Sequence, residues 1–409
     1  MSLSTRYLII GGGVSGPACS MAIREHDTEG GITIVCGENH PPYDRPPLSK
    51  PALFKDEWQF DDAYSKFDNF YPDNKIELII GCQAKRIDRT HRRVQLEDGR
   101  EIEYENLLIA TGSGSRRFEN GGNLPGVYYL RRLEESAAIK QAIHESQPLV
   151  IIGGGYIGME VAAACAKLGV PATLIERNAH LWPRFAGSET GEFLKSHFGK
   201  LGIAFHLGDA ASSIEARDGG LVVTTEEGVE HPAKAVVVAI GAALNTELAL
   251  GAGLEGSPEH GVSVDSYLQT SDPNVWACGD IANFEDIAMG KRWHIEHHLN
   301  ARWQGLAAGA NMAGANEPYD RVPYFWSDVH DISMILRGDP ENPAGVRYVG
   351  DVQAGEFAEL RYDAGGALRM GLAVSHDEKK LDPVSDTLEE LIRAKAQAGS
   401  ITAESLGVG

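Results

Sequence analysis

One short pattern occurs twice in this chain and limits the folds open to it more than any other feature. Tyr7–Ile10 is a β-prone apolar run that ends in Gly11-Gly12-Gly13-Val14-Ser15-Gly16, a G-x-G-x-x-G. Pro17–Arg24, which follows, reads as a helix rich in Ala. In such a loop Gly11 permits the tight turn, Gly13 lets a pyrophosphate approach the backbone, and Gly16 lets the helix pack on the strand. The free N–H groups and positive dipole end of the helix then hold phosphate charge. A second strand, Ile32–Cys36, runs on to Glu38, whose carboxylate is placed to accept ribose hydroxyls.

The second copy starts with the strand Leu149–Ile152 and the loop Gly153-Gly154-Gly155-Tyr156-Ile157-Gly158. An Ala-rich helix, Met159–Leu168, stops at Gly169, and the strand Pro171–Ile175 ends in Glu176. A carboxylate there pairs with the free hydroxyls of NADH and repels the extra phosphate of NADPH. Arg177, beside it, offers the opposite charge.

The 409 residues are enough for two or three domains with their own cores, and 47 glycines fit a chain of many tight turns. A net charge of −21 disfavours nucleic acid and anionic membranes as partners. There is no run of about 18 apolar residues and no signal-peptide pattern before the first strand. Cys19, Cys36, Cys82, Cys165 and Cys278 are scattered, with no C-x-x-C or C-x-x-x-x-C, so neither a metal cluster nor a dithiol is expected. A reducing, cytoplasmic setting fits these thiols.

Between the two copies, the Pro-rich segment 40–51 reads as a stiff loop, neither helix nor central strand, that presents Arg45 and Lys50. Lys75–Gln83, Arg93–Leu96 and Tyr104–Thr111 read as strands, the last entering Gly112, and Arg131–Ser146 as a helix. After the second copy, strand-rich sequence leads to Gly241, and Asp280 falls between a strand and a helix, where it can cap the helix and accept ligand hydroxyls. Asn300–Met312 is an amphipathic helix. From Tyr324 strands and turns take over, then a polar helix at Asp386–Ala396 and a tail expected to fray. His294, His297 and His298 invite a metal reading, but without a partner Cys a structural or ligand-lining role is preferred, and no metal site is expected.

Taken together, the motifs resemble the two-dinucleotide-binding flavoprotein reductases, specifically the FAD-dependent ferredoxin and rubredoxin reductases of bacterial oxygenase systems, with apoptosis-inducing-factor-like proteins in the same group. GGGVSG with Glu38, the loop PPYDRPPLSK, LLIATG at 107–112, GGGYIGME at 153–160, IGAALNTELA at 240–249, TSDPNVWACGDIA up to Asp280 and beyond, EHHLNARWQG at 296–305 and PYFWSD at 323–328 carry it. Leu244 stands where that family usually has Pro, and Glu296-His297-His298 replaces Glu-Ser-Val, closer to the apoptosis-inducing-factor type.

The resemblance implies an α/β fold: two Rossmann-like dinucleotide-binding domains of the glutathione-reductase-like kind plus an α+β C-terminal domain. Residues 1–115 and 241–316 would bind FAD, 116–240 NADH, and 317–409 would form the C-terminal domain. On the FAD side it implies Gly11, Gly13, Ser15 and Gly16 at the pyrophosphate, Glu38 at the ribose, and Arg45 and Lys50 along the cofactor. Ala84 would meet the adenine, Ala110, Thr111, Gly112 and Arg116 would line the entrance, and Asp280 would bind the ribityl–phosphate end. Glu296, His297 and Trp326 would lie near the flavin, although an aromatic such as Trp326 also reads as core packing. On the NADH side it implies Gly153, Gly155, Ile157, Gly158, Glu160, Glu176, Arg184 and Gly241.

The implied chemistry is hydride transfer from NADH to FAD, followed by single-electron delivery to a ferredoxin or rubredoxin, with Lys50, Glu160, Glu296 and Trp326 as the catalytic group. Two other classes stay open: an NADH-sensing flavoprotein with a stable charge-transfer complex or a quinone or other small-molecule reductase on one hand, and a redox-inactive binding scaffold on the other.

Overall fold

Aliphatic and β-branched runs flanked by helices are expected to stack as parallel strands buried on both faces, and the first sheet is built this way. In the computed structural model, which describes residues 3–64, 69–145 and 147–408, Leu3–Ile10 lies between Ile32–Cys36 and Glu101–Ile109, parallel to both. Ile76–Ile80 extends the sheet beyond Ile32–Cys36, and Val275–Ala277 adds to Glu101–Ile109, again in parallel. The hairpin Ala84–Asp88 and Arg93–Leu96 completes it antiparallel. Leu8, Ile9, Leu107 and Leu108 are wholly buried, each contributing on the order of 2 kcal/mol.

The helix Ser15–His26 packs along the helix His298–Met312. Gly305 and Gly309 make that approach possible: a Cβ at Gly305 would stand 2.4 Å from the Ser15 carbonyl oxygen, and one at Gly309 2.3 Å from that of Cys19. These elements form one compact unit (residues 1–45, 60–114 and 243–321).

The other unit comprises residues 46–59, 115–242 and 322–409. Its parallel sheet runs Ile203–Leu207, Ala172–Glu176, Leu149–Ile152, Ala235–Val238, Val127–Tyr128, flanked by the helices Leu133–Glu145, Tyr156–Lys167 and Ser188–Lys200. The helix expected over 131–146 starts at Leu133, and Ser146 lies outside the described residues. An antiparallel sheet of Tyr324–Val329, Ile332–Gly338, Leu368–Ser375, Glu356–Tyr362 and Gly345–Asp351 carries the helix Leu381–Arg393. That helix starts five residues before the expected Asp386, because Pro383 falls in its first turn, where the missing N–H costs nothing. Leu381, Val384, Leu388 and Ile392 form its buried stripe.

Two expectations need correction. Segment 40–51 is not all loop: Pro46–Ser49 forms a 3-10 turn and Pro51–Phe54 a short helix with Pro51 at its first position. The described part of the C-terminal tail does not fray: Thr402 and Ser405 cap each other over Ala403–Leu406, and Leu406 and Val408 are buried. No described helix is long and apolar enough to cross a membrane.

Candidate functional site: two glycine cradles and a buried ion pair

In the first unit the strand Leu3–Ile10 delivers the chain into Gly11, and the helix starts at Ser15 with no side chain capping its first N–H groups. The three glycines of the motif differ in what holds them. A Cβ at Gly11 would lie 2.0 Å from the Ala110 carbonyl oxygen, and one at Gly16 2.3 Å from that of Gly11, so the fold itself requires both. A Cβ at Gly13 would meet nothing within 4 Å. The protein has no internal need for glycine there; the space lies open above an uncapped helix N-terminus, where a pyrophosphate fits.

Of that unit's other predicted residues, Ala110 and the Asp280 turn abut this loop, and the rest are held by their own partners. Glu38 follows the second strand and accepts from Tyr43 Oη and Arg45 Nη2, each at 2.6 Å, so its carboxylate is held before any ligand arrives. Ser15 Oγ donates to the Ala301 carbonyl at 2.9 Å. Asp280 sits on the single 3-10 turn Gly279–Ile281 rather than at a longer helix, is buried, and accepts from Ser113 Oγ at 2.6 Å. Gly279 N–H is fixed by Gln304 Oε1 at 2.9 Å, and a Cβ there would stand 2.8 Å from Ser15 Oγ, so the Asp280 turn abuts the first glycine loop. Thr111 Oγ1 donates to the Asn245 carbonyl and Asn245 Nδ2 to the Thr111 carbonyl, locking the strand exit beside Ala110 and Gly112. Ala84 opens the strand Ala84–Asp88 and pairs with Leu96. Glu296 lies 3.4 Å from His294 Nε2, and His297 precedes the first residue of the helix His298–Met312.

The second unit repeats the loop with the same division of labour. A Cβ at Gly153 would come 2.3 Å from the Ala239 carbonyl oxygen and one at Gly158 1.9 Å from that of Gly153, whereas Gly155 again has open space. Ile157, in the first turn of the helix, is exposed. Glu176 Oε2 accepts the Gly154 N–H at 2.7 Å and Oε1 that of Asn178 at 2.9 Å, which turns the buried carboxylate onto the loop. Arg116 N–H donates to the carbonyl of Gly241, itself at φ 105°. Arg184 is half-exposed, 3.4 Å from Glu341.

Glu160, two residues beyond Gly158, is 5% exposed and gathers three donors. Lys50 Nζ lies 2.8 Å from Oε1, Ser327 Oγ donates to the same oxygen at 2.6 Å, and Ser49 Oγ donates to Oε2. Lys50 Nζ also stands 5.9 Å from the centre of the Trp326 ring, and Tyr156 stacks on Phe325 at 3.6 Å between centroids. Lys50, Glu160 and Trp326 therefore share one neighbourhood.

Sequence reasoning passed over Tyr43, Ser49, Ser327, Asn245 and Gln304 as partners. Tyr43 and Ser49 lie inside PPYDRPPLSK and Ser327 inside PYFWSD, so the motifs contained the signal, but not the direction in which those side chains turn.

The five cysteines are free and buried. Burial pushes the thiols of Cys36, Cys165 and Cys278 up to about 12, which leaves no reactive thiolate among these three at neutral pH.

The profile of the pyridine nucleotide-disulphide oxidoreductase family matches residues 5–305. The ferredoxin–NAD(+) reductase component of the biphenyl dioxygenase system of Paraburkholderia xenovorans is 32% identical over 411 residues, spanning 95% of this chain and 98% of its own. A rubredoxin–NAD(+) reductase of Pseudomonas putida is 33% identical over 333 residues, 81% of this chain and 85% of its own. Among solved structures, putidaredoxin reductase in its covalent complex with putidaredoxin superposes with a TM-score of 0.90 at 28% identity, covering 98% of this chain and 95% of that one. The chain belongs to the pyridine nucleotide-disulphide oxidoreductase family, although it has no cysteine pair spaced as a dithiol.

Proposed function

We propose that the protein is an FAD-dependent NADH oxidoreductase that passes electrons to a ferredoxin or rubredoxin. Residues 1–115 and 241–316 form its FAD-binding domain, 116–240 its NADH-binding domain, and 317–409 a C-terminal domain. The observation that carries this reading is the pair of cradles in which Gly13 and Gly155 leave space the fold does not use. In the FAD cradle Gly13 admits the pyrophosphate, Glu38 takes the ribose hydroxyls, and Asp280 holds the ribityl–phosphate end. In the NADH cradle Gly155 and the helix N-terminus at Tyr156 take the pyrophosphate, and Glu176 takes the ribose.

Bound FAD supplies the chemistry of accepting a hydride and releasing electrons one at a time. The chain's own residues position it and set its charge. Glu160, 2.8 Å from Lys50 Nζ, holds that ammonium in place, where it would offset negative charge on the reduced cofactor. Trp326, beside Lys50, shields the site from water. The sequence holds no cysteine pair spaced as a dithiol that would serve as a sulfur relay to the acceptor. The five buried free thiols accord with a reducing, cytoplasmic setting.

The test is an anaerobic titration of the yellow protein with NADH, followed by oxidised ferredoxin or rubredoxin. Bleaching by NADH and recolouring by the iron–sulfur or iron protein are expected. A reduced protein that persists as a charge-transfer complex and passes electrons to neither acceptor overturns the reading.

A further inference from the structure

Away from both glycine loops, three histidines from distant parts of the sequence converge on one carboxylate. His197 lies near the end of the helix Ser188–Lys200, His330 and Asp331 form the hairpin tip between Tyr324–Val329 and Ile332–Gly338, and His376 follows Leu368–Ser375. His197 Nε2 is 2.7 Å and His330 Nδ1 2.8 Å from the same oxygen, Asp331 Oδ1. His376 Nδ1 is 3.4 Å from Oδ2 and 3.0 Å from the Asp331 main-chain oxygen. One ligand atom from each of His197, His330 and Asp331 lies within 4.8 Å of the others.

We propose that His197 Nε2, His330 Nδ1 and Asp331 Oδ1 bind a divalent zinc-class cation, with water as the fourth ligand and His376 orienting the carboxylate. Two imidazole nitrogens and one carboxylate oxygen are what such a borderline-soft cation takes in a tetrahedral site that keeps one open position. Ligand atoms on a tetrahedral zinc stand roughly 3.3 Å apart, so Asp331 Oδ1, now 2.7 Å and 2.8 Å from the two nitrogens, need draw back only slightly to admit an ion. His376 Nδ1, hydrogen-bonded to the Asp331 main-chain oxygen and 3.4 Å from its second carboxylate oxygen, supplies the outer contact that steadies the ligating residue.

The helix that carries His197 is itself held against the sheet. Buried Glu359 accepts the Gly187 N–H at 2.8 Å and Thr190 Oγ1 at 2.7 Å at the N-terminus of that helix. His197 is thus presented to the hairpin tip by rigid elements rather than by a loop. The hairpin's first strand also carries Trp326 and Ser327, so the ion would tie the strand that contacts Glu160 to the nucleotide-binding sheet's helix.

Isothermal titration of the tag-free, FAD-loaded protein with Zn2+ tests this, alongside thermal unfolding with and without Zn2+. One Zn2+ per chain with micromolar or tighter affinity and a raised unfolding midpoint are expected. His197→Ala, Asp331→Asn and His330→Asn (Asn tolerates the left-handed backbone at this tip, φ 61°) should each weaken binding roughly tenfold or more. Each variant should remain yellow and be bleached by NADH, which shows that it is folded. Co2+ should give tetrahedral absorption at longer wavelength than oxidised FAD, and the variants should lose it. Absence of Zn2+ binding overturns the proposal, as does binding that all three substitutions leave unchanged.

Discussion

Lys50 Nζ lies 2.8 Å from Glu160 Oε1, and the two residues belong to segments 110 positions apart. The carboxylate is nearly enclosed and takes two further hydroxyl donors, Ser49 and Ser327. A charge pair held this firmly sets the electrostatics of its surroundings, and loss of one partner leaves the other desolvated and uncompensated.

Glu160→Ala should therefore lower stability by about 3 kcal/mol and slow NADH-driven bleaching by on the order of tenfold. Urea denaturation and stopped-flow absorbance read the two effects. A variant as stable as the parent would show that the pair is only a surface-like contact.

The glycine geometry separates two substitutions that look alike in sequence. Gly155→Ala meets no atom within 4 Å, so the variant should fold and keep FAD while its KM for NADH rises on the order of tenfold, because the new methyl occupies the pyrophosphate's space. Gly158→Ala would place a Cβ 1.9 Å from the Gly153 oxygen, forcing the helix off the strand at a cost of about 1–3 kcal/mol. Thermal unfolding and NADH kinetics on the pair should give opposite patterns; matching patterns would refute the division of labour.

Coenzyme choice should follow Glu176. Glu176→Gln keeps an acceptor for the Gly154 N–H but removes the charge, so the NADH-over-NADPH preference in kcat/KM should fall roughly tenfold. If the unaltered protein already uses NADPH as well as NADH, that carboxylate does not select the coenzyme.

Thiol reagents should leave turnover intact. Only a thiolate attacks such reagents, and burial holds Cys36, Cys165 and Cys278 protonated until the pH nears about 12. At neutral pH the native protein should label slowly and retain NADH oxidation, while the denatured chain labels at all five cysteines. Rapid inactivation with one label incorporated would place a reactive thiol in the mechanism.

Both glycine loops and the acids that close or follow the next strands were legible in the chain alone, because each follows from local backbone geometry within some 30 residues. The short helix Pro51–Phe54 and the capped turn at Ala403–Leu406 were not. Proline at a first helical position and a Thr-x-x-Ser cap are tolerated in both loop and helix, and packing chose between them.

Sequence by itself determined that two glycine turns would link strand to helix and that Glu38 and Glu176 would stand at or just past the ends of the next strands, since a Cβ-free turn between strand and helix has few alternatives. Tertiary structure alone decided which groups surround Glu160 and that His197, His330 and His376 meet at Asp331. Those contacts join side chains from segments more than a hundred residues apart, or from strands whose neighbours depend on sheet order, and no local periodicity encodes where such side chains converge.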